Sequence, residues 1–363
     1  MAKYSYLICG AGSQGRAIAY RLARFPDTAR IMLADISETA LKEAEDKVGR
    51  DTSLVEFEFF CGNPLKISYL ELAKYDIVIS ALPTNLNYNL AKLCLKSGVN
   101  YCDLGGNLAI TKKLLRLNKK AIEKKLSFLV ECGIQPGAGA VLVKVGCATM
   151  KTGAKIDKIF IYVGGLPRNP GKYPYYKKLF NLKGLRDILY EPALILENGK
   201  PCFVNPIKEK VEKFTIENIG ECEALTTGGL GLLPYNFKDK ARSMREKTLR
   251  WPEFWTFAKN TPKKDFIKSF EALSARNDPD FTYLEIQVIG SFEEKEVSVI
   301  LSLYCESDEV FTSMEKTTGF SAAHMARLVA QGKSAYGVLP PEEALPLNEI
   351  FLELKKNFNI KTR

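Results

Sequence analysis

The sequence contains few of the residues that metal sites need. Its 363 residues include a single histidine, His324, and none of its nine cysteines forms a CxxC pair. Structural zinc sites are built from such cysteine and histidine sets, so we expect no metal site. An odd number of scattered cysteines, several of them inside apolar runs, indicates reduced thiols and a cytoplasmic protein.

Long apolar runs are also missing. No stretch approaches the roughly 20 apolar residues of a membrane span, and the most apolar candidate, residues 138–150, includes Lys144. The N-terminal apolar run has only the length of a strand and leads directly into a glycine turn, so no signal peptide is expected. We therefore expect no membrane partner.

Acidic residues are fewer than basic ones, with 42 Asp and Glu against 52 Lys and Arg and a formal net charge of +10. Basic side chains cluster between residues 112 and 125, but aromatic residues for base stacking are not interleaved with them. We interpret this segment as a solvated helix face and expect no nucleic-acid partner. The positive charge is also suited to attracting anionic substrates and cofactors.

The first residues of the chain carry the pattern of a dinucleotide-binding unit. An apolar run ending at Cys9 is followed by the GxGxxG turn GAGSQG at 10–15 and by helical spacing over 16–25. In such a unit the glycines permit a tight turn, close approach of a pyrophosphate, and close packing of the helix on the strand. The phosphates meet the N–H groups of the helix N-terminus. The predicted cofactor-binding residues of this turn are Gly10, Gly12, Ser13, Gln14 and Gly15.

A carboxylate at the end of the second apolar run makes the glycine pattern more specific. Asp35 lies 20 residues after Gly15, where a Rossmann unit places the acid that binds the ribose hydroxyls. An acidic residue there repels a 2′-phosphate, so we expect NAD as the cofactor in preference to NADP. The alternative is an ordinary turn in which Asp35 only caps the helix expected at 37–48.

Strand and helix patterns alternate up to about residue 132, which predicts parallel strands joined by crossover helices. Strands are expected there at 4–9, 29–34, 54–60, 76–82, 100–104 and 127–132. The pattern then changes, with strands expected at 158–163, 193–197, 213–216, 281–289 and 296–304, and helices at 142–150 and 321–331.

The predicted fold class is α/β, a Rossmann-type doubly wound parallel sheet with a second α+β domain built on a mixed sheet. We expect a dinucleotide-binding domain at 1–137 and a substrate-binding and dimerisation domain at 138–316. A C-terminal helical segment at 317–363 is expected to return to the Rossmann domain.

The ends of three predicted strands carry further candidate residues, since ligands of open α/β sheets bind beyond the C-terminal strand ends. Leu82 ends the fourth strand, Pro83 follows it, and both are expected near the nicotinamide half of the cofactor. Asp103 ends the fifth strand beside two glycines, and Glu131 ends the sixth before a Gly/Pro turn. Both carboxylates are expected to project into one crevice; the alternative is that each only caps a turn or helix.

Several longer motifs carry a resemblance to a known family. They are GAGSQG at 10–15, DLGG at 103–106, ECGIQPG at 131–137, YVGGLP at 162–167, EPALILENGK at 191–200 and TLRWP at 248–252. Along almost the whole chain the sequence resembles the saccharopine dehydrogenase-like family, and within it the lysine 6-dehydrogenases of bacteria and archaea. The resemblance implies hydride transfer between a nicotinamide cofactor and an amine-bearing carbon of an amino acid. It also implies a homodimer or higher homo-oligomer.

The resemblance also implies roles for single residues. It supports Gly10, Gly12, Gly15 and Asp35 as cofactor residues. It also places Asp103, Glu131, Pro136 and Gly137 at the reacting face. Arg250 lies in a motif similar to the family's Arg-Trp/Tyr-Pro and is expected to clamp the substrate α-carboxylate, because a guanidinium offers a bidentate fork. Its alternative is a surface arginine beside a packed tryptophan. Tyr175 is the second candidate for substrate contact, and Glu253 stands where the family tends to have glycine.

The expected reaction is oxidative deamination of L-lysine at its ε-carbon. The amine must lose a proton before the hydride leaves, and a carboxylate is the expected base because the single histidine lies outside the motifs. Asp103 or Glu131 would serve, with a pKa raised by enclosure. One alternative is a saccharopine or carboxyspermidine-type dehydrogenase, with Arg168 or Arg245 binding a second carboxylate. The other is a non-catalytic NAD-binding sensor or scaffold.

Overall fold

The computed structural model describes residues 3–48, 55–170, 173, 175–179, 181–273 and 278–363. The chain forms two compact units. The first consists of Met1–Val141 and Glu315–Asn357, and the second consists of Leu142–Met314 and Phe358–Arg363. The chain therefore leaves the first unit, returns to it, and ends in the second.

The strands, in chain order, are β1 (Tyr4–Cys9), β2 (Thr28–Asp35), β3 (Glu56–Cys61), β4 (Ile77–Ser80), β5 (Asn100–Asp103), β6 (Ser127–Leu129), β7 (Lys155–Pro167), β8 (Ala193–Glu197), β9 (Lys200–Val204), β10 (Glu212–Ile216), β11 (Gly220–Thr226), β12 (Ala241–Arg250), β13 (Asp280–Phe292), β14 (Lys295–Glu306), β15 (Gly337–Leu339) and β16 (Asn359–Thr362).

The helices, in chain order, are α1 (Ser13–Leu22), α2 (Glu38–Val48), α3 (Tyr69–Leu72), α4 (Asn87–Ser97), α5 (Leu108–Leu114), α6 (Asn118–Glu123), α7 (Ala138–Thr149), α8 (Leu182–Tyr190), α9 (Leu233–Asn236), α10 (Phe254–Asn260), α11 (Phe266–Leu273), α12 (Ser313–Glu315), α13 (Ser321–Ala330), α14 (Pro341–Ala344) and α15 (Leu347–Asn357). No helix within the described ranges is both long enough and apolar enough to cross a membrane.

The first unit is built on a parallel sheet with the strand order β15-β6-β5-β4-β1-β2-β3. Each adjacent pair in that order is parallel. Residues 6–9 of β1 are all fully buried, as is typical of parallel strands covered by helices on both faces. The strand order reverses between β1 and β4, which is the switch point where such sheets bind ligands. The predicted Rossmann-type sheet is confirmed.

Two of the expected strands end earlier than their apolar runs do. The fourth stops at Ser80 rather than at residue 82, and the sixth stops at Leu129 rather than at 132. The sixth strand ends early because Glu131 has a left-handed backbone conformation, with φ of 67°, which no strand accommodates. The expected third strand is found at Glu56–Cys61, and Leu54, its expected first residue, lies outside the described residues.

The C-terminal part of the first unit packs closely on α1. A π-helical turn, Lys316–Phe320, leads into α13. A Cβ added to Gly319 in this turn would lie 2.6 Å from the Cβ of Ala17 on α1, so the contact requires glycine. Ala322, Ala323 and Ala326 of α13 are fully buried. The small residues expected in this helix therefore serve close packing.

The second unit is built on a mixed sheet, as predicted. Its main strand order is β10-β11-β12-β7-β13-β14-β16, and β8 and β9 extend it from β12. β12 and β7 are parallel, whereas β7 pairs antiparallel with β13. One face is apolar, and α7 covers part of it: a Cβ added to Gly146 would lie 3.0 Å from the side chain of Val288.

β12 is a central strand that the sequence analysis did not predict, because its sequence ARSMREKTLR is highly charged. Its charges are accommodated by partners on neighbouring segments. Arg245 donates to Glu209 at 2.8 Å and to Glu197 at 3.0 Å, and the Lys247 Nζ donates to Glu212 at 2.5 Å. Residues 246, 248 and 250 point to the opposite face of the strand, because side chains alternate along a strand.

Candidate active site

The glycine turn joins β1 to α1 at the switch point of the parallel sheet. Gly10 has φ of 102°, and a Cβ there would lie 2.7 Å from the carbonyl oxygen of Ala81, which follows β4. A Cβ on Gly15 would lie 1.8 Å from the carbonyl oxygen of Gly10. A Cβ on Gly12, in contrast, would meet no heavy atom within 4 Å. Two of the glycines therefore permit close packing, and the third borders open space.

The expected cofactor residues lie at the carboxyl edge of this sheet. The Asp35 carboxylate ends β2 and accepts hydrogen bonds from the backbone N–H of Ala11 at 2.7 Å and of Ser37 at 2.9 Å. Leu82 and Pro83 follow β4 and are half-buried and exposed, respectively. Ser13 is exposed and is the first residue of α1. The N-cap residue of α1 is Gly12, which has no side chain that could cap the helix. The turn, the open space at Gly12 and the helix N-terminus fit the pyrophosphate of a dinucleotide.

Asp103 ends β5 and is buried. Its Oδ1 accepts hydrogen bonds from the backbone N–H of Gly105 at 2.8 Å and of Glu131 at 3.2 Å. Burial raises the pKa of Asp103 to about 6, while these two hydrogen bonds lower it. A Cβ on Gly105 would lie 2.8 Å from the Cα of Glu131, so this arrangement depends on a glycine.

Glu131 follows β6 and is brought next to Asp103 by the hydrogen bond described above. It is buried and has a left-handed backbone. The hydroxyl of Thr111 on α5 donates to Glu131 Oε1 at 2.9 Å. Thr111 was not expected at the site, because a threonine within a helix carries no sequence signal of this contact. The two candidate base residues are therefore neighbours, and both have hydrogen bonds that orient them.

Arg250 ends β12 in the second unit. It is only 8% exposed, which contradicts the alternative of a surface arginine. Its Nη1 donates to the carbonyl oxygen of Leu249 at 2.7 Å, and its guanidinium carbon lies 5.4 Å from the ring centroid of Phe254. Its Nε is buried and has no hydrogen-bond partner among the described residues. Burial lowers the pKa of Arg250.

Glu246 lies on the same face of β12 as Arg250. Its Oε2 accepts a hydrogen bond from the Thr227 hydroxyl at 2.7 Å, and its Oε1 accepts one from the Thr248 hydroxyl at 3.2 Å. Burial raises the pKa of Glu246 to about 8. Glu246 was not among the residues predicted for the site. The alternation Glu-x-Thr-x-Arg would have revealed it had the strand been recognised.

The structure distinguishes two neighbouring tyrosines. The hydroxyl of Tyr175, the expected substrate contact, donates to Asp278 Oδ2 at 3.0 Å, and its ring packs in a core cluster with Trp251. The hydroxyl of Tyr176 is buried without a hydrogen-bond partner in the described part of the chain. Burial raises the pKa of Tyr176 to about 12, and the charge of Arg250 opposes this shift. Tyr176 is therefore the tyrosine that is electrostatically coupled to Arg250.

Two family models match this chain. The model of the saccharopine dehydrogenase NADP binding domain matches residues 6–129, and the model of the saccharopine dehydrogenase C-terminal domain matches residues 133–360. The chain belongs to the saccharopine dehydrogenase family. This confirms the resemblance at the level of the family and identifies the first unit as a nicotinamide-cofactor domain of that family.

The chain is similar to curated and structurally known members of this family. It is 33% identical over 141 residues to the mitochondrial alpha-aminoadipic semialdehyde synthase of Bos taurus, covering 37% of this chain and 14% of that protein. The enzyme of the same name from Mus musculus is 31% identical over 131 residues, with 34% and 14% covered. The chain thus matches about one seventh of the length of these relatives.

The chain also resembles the apo saccharopine dehydrogenase (L-Glu forming) of Saccharomyces cerevisiae. The TM-score is 0.75 at 16% sequence identity, and the match covers 99% of this chain and 100% of that chain. At this identity the comparison shows a shared fold.

The single histidine of this family member is a packed residue of the first unit. The Nε2 of His324 accepts hydrogen bonds from Arg21 Nε at 3.1 Å and from Asn357 Nδ2 at 2.8 Å, and its Nδ1 lies 3.1 Å from Glu353 Oε2. Burial lowers the pKa of His324, and its interaction with Glu353 opposes this shift. Across the ranges that the structure describes, no group of three or more His, Cys, Asp or Glu could hold a metal ion.

Proposed function

We propose that this member of the saccharopine dehydrogenase family is an NAD-dependent dehydrogenase that oxidises the ε-carbon of L-lysine and releases its amine. The observation that carries the proposal is the pair of buried carboxyl groups, Asp103 and Glu131, at the carboxyl edge of a nicotinamide-binding sheet. When bound, the cofactor supplies the hydride acceptor. The protein supplies the base, the orientation of the amine and the enclosure.

Asp103 is the base in this proposal. The ammonium of the substrate must lose a proton so that its nitrogen lone pair can assist the departure of the hydride. A carboxyl group with a pKa of about 6 is ionised at neutral pH and is a stronger base than an exposed aspartate. The two backbone N–H donors fix Oδ1, and the Thr111 hydroxyl orients the neighbouring Glu131. The ammonium proton moves to the carboxylate of Asp103.

Arg250 binds the substrate α-carboxylate in this proposal. A buried guanidinium with an unused Nε is suited to an anionic ligand, because a guanidinium binds a carboxylate through two parallel hydrogen bonds. The hydroxyl of Tyr176 is a second donor that the structure leaves without a partner in the described ranges. We prefer it to Tyr175, whose hydroxyl is engaged by Asp278.

NAD is the proposed cofactor, although the family model that matches residues 6–129 is described as an NADP binding domain. The support is the Asp35 carboxylate, which the N–H of Ala11 holds against the glycine turn and which repels a 2′-phosphate. Dissociation constants of NADH and NADPH, measured by nucleotide fluorescence, test this. We expect Asp35→Ser to reduce the preference for NADH. Tighter binding of NADPH to the wild-type protein would contradict it.

A screen of substrates tests the reaction itself. We expect formation of reduced cofactor, followed by absorbance, with NAD and L-lysine, and a loss of turnover in Asp103→Asn. Turnover of L-saccharopine without turnover of L-lysine would contradict the proposal and indicate a saccharopine dehydrogenase. Binding of NAD without turnover of any amino acid would indicate a sensor or scaffold.

The alternative that this protein is a saccharopine dehydrogenase is favoured by the fold it shares with the yeast enzyme. That alternative requires a second site that binds a carboxylate. The two arginines considered for that site are both paired with acids. Arg168 lies 2.8 Å from Glu306. Arg245 contacts Glu197 and Glu209. Neither arginine is available without breaking an ion pair, which is why we place L-lysine first.

A further inference from the structure

Two buried ionisable groups, the Glu246 carboxyl group and the Arg250 guanidinium, lie on the same face of β12, and each has other hydrogen-bond partners. The oxygens of Glu246 accept hydrogen bonds from the hydroxyls of Thr227 and Thr248, and Arg250 donates to the backbone carbonyl of Leu249. The guanidinium Nε has no hydrogen-bond partner within the ranges described. Buried ionisable groups in proteins are normally paired, because an uncompensated charge in the interior is unfavourable.

The arrangement along the strand indicates what kind of ligand would complete it. Glu246, Thr248 and Arg250 are all buried, with exposed fractions of 2%, 7% and 8%. Thr248, midway between the other two along the strand, donates to the Glu246 carboxyl group, and Glu246 and Arg250 interact electrostatically. The face therefore presents an acceptor beside a guanidinium donor.

We propose that Glu246 accepts the α-ammonium group of the substrate while Arg250 binds its α-carboxylate, so that this face of β12 is a receptor for the head group of an α-amino acid. The inference rests on the proposed function, because it concerns the substrate bound at Arg250. It applies equally to L-lysine and to the lysine half of L-saccharopine, which have the same head group.

Binding of the ammonium changes the protonation of Glu246. Burial raises the pKa of Glu246 to about 8, so at pH 7 most of the free protein carries a proton on this carboxyl group. An ammonium ion at hydrogen-bond distance stabilises the ionised form. The carboxyl proton then leaves to solvent, and the ammonium donates its hydrogen bond to the carboxylate.

Calorimetric binding of two probes to the full chain tests the proposal. L-lysine and 6-aminohexanoic acid share the carboxylate and the ε-amine, but only L-lysine has the α-ammonium. A hydrogen bond between charged groups corresponds to a preference for L-lysine of about 10- to 100-fold in the wild-type protein. We expect Glu246→Gln to bring the two affinities within about threefold, because a neutral amide loses the charge-assisted bond.

A matched variant controls for the removal of a negative charge. Glu221 lies on the adjacent strand β11, is exposed, and pairs with Lys213. We expect Glu221→Gln to keep the wild-type preference for L-lysine. Thermal unfolding of all three proteins verifies that they are folded, and the amide of Glu246→Gln still accepts a hydrogen bond from a threonine hydroxyl.

Proton release gives a second readout that a purely structural role for Glu246 would not affect. Binding enthalpies at pH 7 in phosphate and in Tris differ in proportion to the number of protons released, because the two buffers have different ionisation enthalpies. We expect release when L-lysine binds the wild-type protein, and none with 6-aminohexanoic acid or with Glu246→Gln. A preference for L-lysine that survives in Glu246→Gln, or binding of L-lysine to wild type without proton release, would overturn the inference.

The outcomes separate this inference from the proposed function. If the wild-type protein binds L-lysine with the expected preference but does not oxidise it, the receptor is retained and the proposed reaction is wrong. If L-lysine is oxidised and the preference persists in Glu246→Gln, only the receptor is wrong. If L-lysine does not bind the wild-type protein, both are overturned.

Discussion

The two units bury a carboxyl group in different ways. Asp103 in the first unit accepts hydrogen bonds from the backbone N–H groups of Gly105 and Glu131, whereas Glu246 in the second accepts hydrogen bonds from the hydroxyls of Thr227 and Thr248. Burial raises both pKa values, to about 6 for Asp103 and about 8 for Glu246. Backbone N–H groups can only donate, whereas a hydroxyl also serves a protonated carboxyl as an acceptor. With these pKa values Asp103 is ionised at neutral pH and Glu246 is mostly protonated, and in both residues the hydrogen bonds oppose the effect of burial.

The largest effect is expected when Asp103, which accepts backbone N–H groups, is replaced by a residue that cannot ionise. Asp103→Asn keeps an oxygen that accepts the same N–H groups, so the fold is retained, but it cannot take the ammonium proton. We expect kcat to fall by about 100- to 10,000-fold.

In the wild type, kcat should rise with pH through about 6 as Asp103 ionises. Steady-state rates between pH 5 and 8 measure both; an unchanged kcat in Asp103→Asn would remove Asp103 from the chemistry.

A second substitution tests whether the first unit's site depends on backbone geometry. A Cβ in Gly15→Ala would lie 1.8 Å from the carbonyl oxygen of Gly10, so the turn must shift. We expect NADH affinity to fall by about 100-fold, since displacement of a binding group by an ångström has effects of that size, and stability to fall by about 1–3 kcal/mol.

Gly12→Ala is the matched control, because no heavy atom lies within 4 Å of its added Cβ. It should retain the wild-type urea midpoint. Wild-type NADH affinity in Gly15→Ala would show that the turn tolerates a shift and that the backbone does not define this site.

The two units also differ in how far the sequence predicts their strands. Six of the seven strands of the first sheet were predictable because apolar runs alternate with helical spacing, and Gly15 is required by a contact with Gly10 within a short stretch of chain. The seventh strand, β15, was not predicted. The bounds of β1 and β8 agree with those expected at 4–9 and 193–197. β12 was missed because its arginine and lysine are compatible with a strand only once Glu197, Glu209 and Glu212 lie beside it.

The candidate site residues likewise differ in whether a local sequence pattern marks them. Asp103 and Glu131 were predicted as site residues because both follow apolar runs and precede glycines. Thr111 contacts Glu131 and Tyr176 interacts electrostatically with Arg250, and because these partners are distant in sequence no local pattern marks the two residues. Tyr175 was predicted for substrate contact, whereas Tyr176 is the tyrosine whose pKa the charge of Arg250 lowers, and no spacing pattern marks this difference.

The pH dependence of the free energy of unfolding gives a third test of the difference between Asp103 and Glu246. Glu246 has an ordinary pKa of 4.5 that rises to about 8 in the folded protein, so the folded state binds its proton more tightly than the unfolded state does. Its stabilising contribution is fully present below about pH 4.5 and is lost as the pH rises through about 8. Relative to Glu246→Gln, the wild-type free energy of unfolding should fall by about 1.4 kcal/mol per pH unit within this window.

Urea unfolding of both proteins between pH 5 and 8 measures this slope. Asp103→Asn provides the comparison, since the pKa of Asp103 rises only from 3.8 to about 6 and its slope should end near that pH. Parallel stability curves for wild type and Glu246→Gln would show that Glu246 is not protonated in the folded state.

The smallest effect concerns a glutamate in each unit with a left-handed backbone. Glu253, at the start of α10, has φ of 72°, and Glu131 has φ of 67°. A side chain is strained there by about 1 kcal/mol, which glycine relieves. Glu253→Gly should raise the free energy of unfolding by about 0.5–1 kcal/mol and keep wild-type kcat, in line with the glycine that the family resemblance implies there. Glu131→Gly should relieve similar strain but lower kcat, because it removes the carboxyl group beside Asp103. Equal kcat values in the two glycine variants would mean that Glu131 is as dispensable as Glu253.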